Sequence, residues 1–316
     1  MMPSSGVLSI VVPCHNEAEN LREFHRQTMS SFTGLDSLST AELILVDDGS
    51  RDDTLAVARS LAAEDPRVRV LSFSRNFGKE SAMLAGLRAA TGDAVVIMDA
   101  DLQHPPSLLG ELVAGYEEGY HQVVAVRDRT GDPRLRTWFS KIYYRLVDRL
   151  IDVPLQDGAG DFRLLSRKAT DAVLSLGEVN RFSKGLFAWV GMRTKLVPYK
   201  NQPRFAGTTT WRFGSLLNYG IEGILAFNDK PLRFAIKLGF GAFALFVLYL
   251  VWLLVSFLLH GIETPGYLTT IAVMVGIGGI QLIFLGILGE YIGKIYAETK
   301  GRPAYVIEEE LNAPAD

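Results

Sequence analysis

Short apolar runs alternate with amphipathic stretches along the chain up to about residue 230. The runs are rich in Val and Ile, and they comprise Leu8–Val12, Leu43–Val46, Val68–Phe73, Ala94–Met98 and Val123–Val126. Their near-continuous apolarity is typical of strands that are covered on both faces. The stretches between them have helical periodicity, and they include Glu17–Phe32, Thr54–Glu64, Lys79–Ala90 and Pro106–Glu118. This alternation predicts an α/β domain with a doubly wound, mostly parallel sheet.

Two longer apolar stretches follow, Leu238–Leu259 and Tyr267–Gly289, and neither contains a charged residue. Each is long enough as a helix to cross the hydrocarbon core of a bilayer, and each is too apolar for an ordinary buried helix. Basic residues flank the pair at its outer ends, at Lys230, Arg233, Lys237, Lys294, Lys300 and Arg302. The connecting HGIETPG contains neither Lys nor Arg. The positive-inside rule therefore predicts a protein of the inner or plasma membrane with two spans and both termini in the cytoplasm.

The first residues, MMPSSGVLSIVVP, lack the basic segment and the long apolar run of a signal peptide, so we expect the N-terminal domain to stay in the cytoplasm. The formal net charge of −3 gives no global basic field, and we expect no nucleic-acid partner. The only cysteine is Cys14, which excludes an internal disulfide.

Acidic residues follow the predicted strands. Asp47 and Asp48 come after the second run, and Asp99 and Asp101 come after the fourth. Ligands of doubly wound sheets bind at the carboxyl ends of the strands, so these carboxylates are expected to converge on one crevice. Clustered carboxylates favour a hard divalent cation with oxygen ligands. For Asp48 and Asp53 a role in a turn or at a helix N-cap is the alternative interpretation.

Several other classes of site are excluded because the sequence lacks their motifs. No G-x-G-x-x-G follows a strand, and FGKES lacks the upstream glycine spacing of a P-loop. The chain also lacks a His-rich or Cys-rich zinc pattern and a G-x-S-x-G hydrolase elbow.

The ordered segments VVPCHNE, LVDDGSRDDT, FGKESAMLAGL and MDADLQHPP resemble the family 2 glycosyltransferases, which have the GT-A fold. The downstream GDFRLLSR and RFAGTTTWRFGSLL, with the two spans, are similar to the polyprenyl-phosphate glycosyltransferases. That group includes the bactoprenol glucosyltransferases and the dolichyl-phosphate mannose synthases. The Gln-x-x-Arg-Trp motif of processive polysaccharide synthases is missing, which favours transfer of a single sugar.

The resemblance implies an enzyme that transfers one sugar, with inversion, from a nucleotide-sugar to polyprenyl phosphate at the cytoplasmic face of the membrane. UDP-glucose is the first choice of donor, and GDP-mannose, UDP-N-acetylglucosamine and UDP-aminoarabinose remain open. A non-catalytic, membrane-tethered nucleotide-binding protein is the alternative from another class. A homo-oligomer is compatible with the chain, although no residue pattern specifies one.

The resemblance also assigns roles to residues. Asp161 matches the family position assigned as the catalytic base, although it could instead orient a substrate, because a phosphate acceptor with a second pKa of about 6 is already mostly a dianion. Asp101 would bind Mg²⁺ or Mn²⁺ with Gln103 as a further ligand, and Asp99 would contact the ribose or help to hold the metal. The nucleotide-sugar pocket would be lined by Pro13, Asn16, Glu17, Asp48 and Lys79.

The acceptor phosphate requires cations, and arginine forks suit phosphate oxygens. The candidates are Arg127, Arg129, Arg163 and Arg204, with Arg127 and Arg204 as the preferred pair. Two amphipathic segments, Arg134–Ile151 and Trp211–Phe227, are suited to a membrane surface. An ordinary helix that packs on the sheet is the alternative interpretation of the first.

These patterns predict four parts. They are the GT-A domain over 1–210, a juxtamembrane amphipathic helix over 211–232, two spans with a short non-cytoplasmic loop over 233–292, and a cytoplasmic tail over 293–316.

Overall fold

The structure is a computed structural model that describes residues 6–32, 38, 40–127, 159–179, 181–199, 230–260 and 266–314. Within these ranges the chain forms one sheet whose strands lie in the order β7-β5-β6-β4-β1-β2-β3-β8. The strands are β1 Val7–Cys14, β2 Thr40–Asp47, β3 Val68–Phe73, β4 Ala94–Ile97, β5 Gln122–Arg127, β6 Ala159–Ser166, β7 Thr194–Tyr199 and β8 Ile307–Leu311. Each of the five predicted strands is present.

Helices lie between and after the strands. They are α1 Ala18–Phe32, α2 Thr54–Glu64, α3 Lys79–Ala89, α4 Leu109–Glu117, α5 Arg167–Leu174, α6 Ser183–Trp189, α7 Lys230–His260 and α8 Tyr267–Thr299. The predicted helix over 106–118 begins as a 3-10 turn at Pro106–Leu108 before it becomes α4. The remaining predicted helices of the domain agree with the structure to within one residue at each end.

The sheet is mostly parallel, as predicted. Strands β4, β1, β2 and β3 run in one direction, and β6 and β8 are antiparallel to their neighbours. One face packs against α1, α2 and α4 through side chains such as Phe24, Leu61 and Leu112. The other face packs against α3 and α5, where Met83 and Val173 are buried. Both faces are therefore covered, which explains why β1, β2, β4 and β5 are mostly apolar.

The strand directions bring several loops to one edge of the sheet. The carboxyl ends of β1, β2, β4 and β5 lie at this edge, and because β6 is antiparallel its first residues lie there too. Ile97 of β4 is opposite Arg163 of β6. Since antiparallel partners move in opposite directions along the chain, Asp161 is at the level of Asp99. The GDFR segment is thus brought beside the DAD segment.

The C-terminal strand β8 completes the opposite side of the sheet. It pairs with β3, and Arg59 and Arg69 form ion pairs with Glu309 and Glu310. The Tyr305 ring stacks on Phe73 with centroids 5.0 Å apart. The segment after α8 therefore returns to the α/β domain and becomes part of it.

The helices α7 and α8 contain candidate membrane spans at Ile236–Ser256 and Thr269–Thr299, and the side chains of their most apolar windows are not buried inside the protein. Their length and composition agree with the two predicted spans. The predicted amphipathic segments Arg134–Ile151 and Trp211–Phe227 lie outside the described residues, as do Arg129 and Arg204.

Candidate active site

The loop after β1 is bound to the loop after β2. The backbone N–H of Asn16 donates to Ser50 Oγ at 3.0 Å, and the Arg51 N–H donates to Asn16 Oδ1 at 2.9 Å. The Glu17 N–H donates to Thr54 Oγ1 at 2.7 Å. Asn16 has a φ of 57°, a left-handed conformation that asparagine tolerates better than most residues. These bonds fix the place of Asn16 and Glu17, and Pro13 is held in β1 opposite Val46 of β2. The three residues are the predicted lining of the nucleotide pocket.

Asp48 connects the second loop to a third one. Its buried carboxylate accepts the N–H groups of Phe77, at 2.7 Å, and Gly78, at 3.0 Å. Burial raises the pKa of Asp48, and the two backbone hydrogen bonds oppose this. Gly49 has a φ of 60°, and a Cβ there would lie 2.4 Å from the Arg75 backbone. The carboxylate of Asp48 thus holds the 74–78 loop, and its contact with the base or ribose stays a prediction.

Lys79, the first residue of α3, joins two of the predicted site carboxylates. Its Nζ is 2.7 Å from Asp99 Oδ1 and 2.8 Å from Asp161 Oδ2. Burial alone lowers the pKa of Lys79, but attraction to Asp161 and Asp99 outweighs it and raises that pKa above its ordinary value. Burial likewise raises the pKa of both carboxyl groups, but Lys79 holds each of them below its ordinary range. All three groups are therefore charged at neutral pH.

Asp101 lies just beyond this triad. It is 7% exposed, and its Oδ1 accepts the Gln103 N–H at 3.1 Å. Between them Leu102 has a φ of 59°, which is costly for a leucine and is a form of strain that clusters at functional sites. Among the described residues no group of three or more His, Cys, Asp or Glu side chains forms a self-contained metal site. One or two carboxylates with a substrate diphosphate are nevertheless the usual setting of Mg²⁺, and Asp101 fits this setting.

A cluster of three aromatic rings lies next to the acidic residues. The His104 ring stacks on Phe162 at 4.9 Å between centroids, and Tyr199 meets both rings edge to face. Burial raises the pKa of Tyr199 to about 12, and Arg127 opposes the shift while Asp99 and Asp101 add to it. Arg127 therefore lies near the acidic residues, where a phosphate would be attracted.

Arg163 lies beside Asp161 but points into the protein. Its side chain is buried, Nη2 donates to the Gly160 carbonyl at 2.7 Å, and the guanidinium lies 4.0 Å from the centre of the Phe187 ring. This setting supports the beginning of β6. A contact of Arg163 with the acceptor phosphate is still a prediction.

Helix α6 contributes residues that the sequence patterns did not single out. The Ser183 N–H donates to Glu80 Oε2 at 3.1 Å, and the Ser183 hydroxyl donates to the same oxygen. The positive charge of Lys184 adds to that of Lys79 in lowering the pKa of Asp161. The seven-residue helix is too short for a clear periodic signal, and His104 was visible only as a polar residue after a strand.

Known proteins match this chain along most of its length. Residues 9–174 match the model of glycosyl transferase family 2, and residues 230–295 match a model described as the GtrB C-terminal hairpin. CsbB of Bacillus subtilis (strain 168) is 49% identical over 304 residues, which cover 96% of this chain and 92% of CsbB. The bactoprenol glucosyl transferase of Shigella phage SfV is 38% identical, and the match covers 96% of this chain and 98% of that protein.

Solved structures are more distant. Mannosyl-3-phosphoglycerate synthase from Rubrobacter xylanophilus has a TM-score of 0.47 at 20% identity, with 74% of this chain and 75% of that chain covered. A TM-score at this level gives no information about the role of any individual residue. The sequence relatives carry the conclusion: the chain belongs to glycosyl transferase family 2 and has the GT-A fold, followed by two long apolar helices that are candidate membrane spans.

Proposed function

We propose that this glycosyltransferase transfers a single sugar from a nucleotide-sugar to polyprenyl phosphate at the cytoplasmic face of the membrane, with inversion at the anomeric carbon. The observation that carries the proposal is that three site carboxylates lie at one edge of the sheet. Lys79 bridges Asp99 and Asp161, and the buried Asp101 lies two residues after Asp99. The chain that builds this edge also carries two membrane-length helices, which bring an enzyme to a lipid acceptor.

The bonds change as follows in the proposed reaction. An oxygen of the acceptor phosphate forms a bond to the anomeric carbon of the sugar. The bond from that carbon to the donor diphosphate breaks, and its electron pair leaves with the nucleoside diphosphate. Attack from the face opposite the leaving group inverts the centre, so an α-linked donor gives a β-linked lipid product.

A divalent ion, Mg²⁺ or Mn²⁺, would be held by Asp101, with Gln103 or Asp99 as further ligands. When bound, such an ion acts as a Lewis acid that stabilises the negative charge of the departing diphosphate. Asp99 is already paired with Lys79, so Asp101 is the better placed of the two carboxylates. Pro13, Asn16, Glu17 and Asp48 would surround the nucleotide, since their loops are fastened to one another around the same edge.

The acceptor phosphate would be bound by arginines, with Arg127 at the end of β5 as the described candidate and Arg204 as its partner. Arg127 is the last residue of β5, which pairs with β6, and this brings it to the edge where Asp161 lies near the beginning of β6. Since a guanidinium group can donate two parallel N–H bonds to phosphate oxygens, two arginines from separate segments would orient the nucleophile.

The donor is proposed as UDP-glucose, because relatives that match nearly the whole chain are named bactoprenol glucosyl transferases. GDP-mannose, UDP-N-acetylglucosamine and UDP-aminoarabinose are the competing donors. In the proposed arrangement 1–210 is the catalytic domain and 211–232 is a juxtamembrane helix. The segment 233–292 would be the membrane hairpin and 293–316 the cytoplasmic tail.

A donor panel tests this proposal. Purified protein in detergent is given polyprenyl phosphate with each of the four nucleotide-sugars in turn, and the lipid product is weighed by mass spectrometry. We expect UDP-glucose to give a lipid heavier by one hexose unit and the other donors to give little product. Nucleotide binding without any lipid product would favour a non-catalytic nucleotide-binding protein instead.

A further inference from the structure

We propose that Lys79 is a positioning residue of the transfer reaction, which fixes Asp161 and Asp99 relative to each other instead of binding the donor nucleotide. This inference rests on the proposed function, because it concerns the same site. It changes the role that the sequence suggested for Lys79, which was a cation for contacts with the donor.

The first support is the geometry of the ammonium group. Lys79 Nζ lies within 2.7 Å of Asp99 Oδ1 and 2.8 Å of Asp161 Oδ2, so a single cation joins the end of β4 to the beginning of β6. Two carboxylates at the same level of neighbouring strands repel each other. A lysine has three N–H donors, and two of them are directed at these oxygens. One donor of the three is left for a nucleotide.

The second support is that the backbone of Lys79 is held in place. The N–H groups of Phe77 and Gly78, just before it, are bound by the buried Asp48 carboxylate. Glu80, just after it, accepts two hydrogen bonds from Ser183. Beyond these, α3 packs into the core through Ala82 and Met83. The lysine therefore extends from a fixed point, which is what a positioning residue requires.

The third support is the state of Asp161. Its Oδ2 is bound to Lys79, whereas its Oδ1 is buried and accepts no hydrogen bond from any described residue. A buried carboxylate oxygen without a donor is costly unless a ligand supplies one. We infer that Oδ1 receives a hydroxyl of the bound sugar. By holding Oδ2, Lys79 determines the direction in which Oδ1 points.

The test compares Lys79→Met with Lys79→Arg in steady-state transfer to polyprenyl phosphate. Loss of the charge should lower kcat by about 100-fold or more, and the KM for the donor should change by less than about threefold, because the interaction acts on the reacting arrangement. Lys79→Arg keeps the charge and should recover part of the loss. The matched control is Lys195→Met, which removes an exposed pair with Glu118 and should leave both constants unchanged.

A double-mutant cycle separates positioning from a merely structural effect. If Lys79 acts through Asp161, the variant with both Lys79→Met and Asp161→Asn should be no slower than Asp161→Asn alone, to within about twofold. A radiolabelled donor and long incubations make these low rates measurable. Melting curves accompany each variant, and if Lys79→Met melts early, Lys79→Gln carries the same comparison.

Two results would overturn the positioning role. Losses that multiply in the double variant would show that the two residues act independently. A raised donor KM with an unchanged kcat would show that Lys79 binds the nucleotide. The proposed function fails separately: in that case the wild-type protein itself gives no glycosylated lipid.

Discussion

Asp161 is the residue whose chemistry differs most from that of a simple catalytic base. Burial alone would raise the pKa of its carboxyl group, but Lys79 and Lys184 hold that pKa below its ordinary range. A carboxylate that is stable as an anion is a poor proton acceptor. The acceptor phosphate does not need a base either, because its second pKa is about 6 and it is mostly a dianion at neutral pH. We therefore propose that Asp161 orients the sugar.

This role gives a pH dependence whose sign can be worked out. Asp161 has a lowered pKa, so it is ionised at every pH above its ordinary value of about 3.9 and adds no change of rate there. The acceptor phosphate loses its nucleophilic dianion as the pH falls below about 6. We expect kcat/KM for the acceptor to have one acid limb centred near pH 6, measured from pH 5 to pH 9. A limb centred well above pH 7 would instead indicate an enzyme base that must be deprotonated.

Asp101 is expected to be the residue on which metal dependence rests. Replacing it with Asn keeps the size of the side chain but removes the charge that attracts a divalent ion. We expect Asp101→Asn to lower kcat by at least about 100-fold in saturating Mn²⁺, because charge on the departing diphosphate is then poorly stabilised.

The matched control is Asp53→Asn. Asp53 is exposed at the start of α2, and its side chain makes no capping hydrogen bond. Its replacement should leave transfer unchanged. Full activity of Asp101→Asn would contradict the metal assignment.

At the scale of elements, the strands that could be predicted are those with mostly apolar sequences. β1 to β5 each contain a stretch rich in Val, Ile, Leu or Ala, and these stretches are visible in the sequence. β6 was missed as a strand although its residues were noted, because Asp161 and Arg163 interrupt its apolar pattern. Both side chains have partners that are distant in sequence, Lys79 for Asp161 and the Phe187 ring for Arg163.

β8 is the clearest case of a strand that its own sequence does not indicate. Its residues read IEEEL, and three consecutive glutamates are not typical of a strand. Two of them are matched by arginines on α2 and β3, and Asn312 donates to the carbonyl groups of Ala62 and Val68 at 2.8 Å each. The pairing depends on tertiary contacts, which no local pattern contains.

The two arginines that hold β8 should differ in their contribution to stability. The Arg69 side chain is 14% exposed and also donates to the Ala89 carbonyl at 2.7 Å, whereas the Arg59 side chain is 50% exposed. We expect Arg69→Met to lower the free energy of unfolding by roughly 1.5–3 kcal/mol, as for a largely buried charged hydrogen bond. Arg59→Met should lower it clearly less, because surface ion pairs contribute little.

Denaturant unfolding of the full chain in detergent measures the two changes in parallel. Equal losses of unfolding free energy in Arg69→Met and Arg59→Met would show that burial does not determine how much each ion pair contributes. A larger loss for Arg59→Met would contradict the described packing of β8.

At the scale of the whole molecule, β8 constrains the topology of the chain. A strand that pairs with β3 must lie on the same side of the membrane as the α/β domain. The two candidate spans lie between that domain and β8, so crossing twice is consistent with the pairing. The pairing does not determine which side that is, so the cytoplasmic location of both termini stays a prediction from the flanking basic residues.

Cysteine labelling in intact cells tests this topology. A maleimide that cannot cross the membrane should react with Thr264→Cys, between the two spans, and should not react with Ala313→Cys, just after β8. The native Cys14 is a small background, because it is buried and burial raises the pKa of its thiol. If Ala313→Cys reacts in intact cells and Thr264→Cys does not, the orientation of the protein in the membrane is opposite to the proposed one.

The most direct single measurement is the mass of the lipid formed from polyprenyl phosphate and UDP-glucose, with and without EDTA. We expect one added hexose for each lipid phosphate, release of one UDP for each product, loss of the reaction in EDTA and recovery when Mn²⁺ is restored. Undiminished transfer in EDTA, or release of free glucose with the lipid unchanged, would contradict metal-assisted transfer to a lipid phosphate.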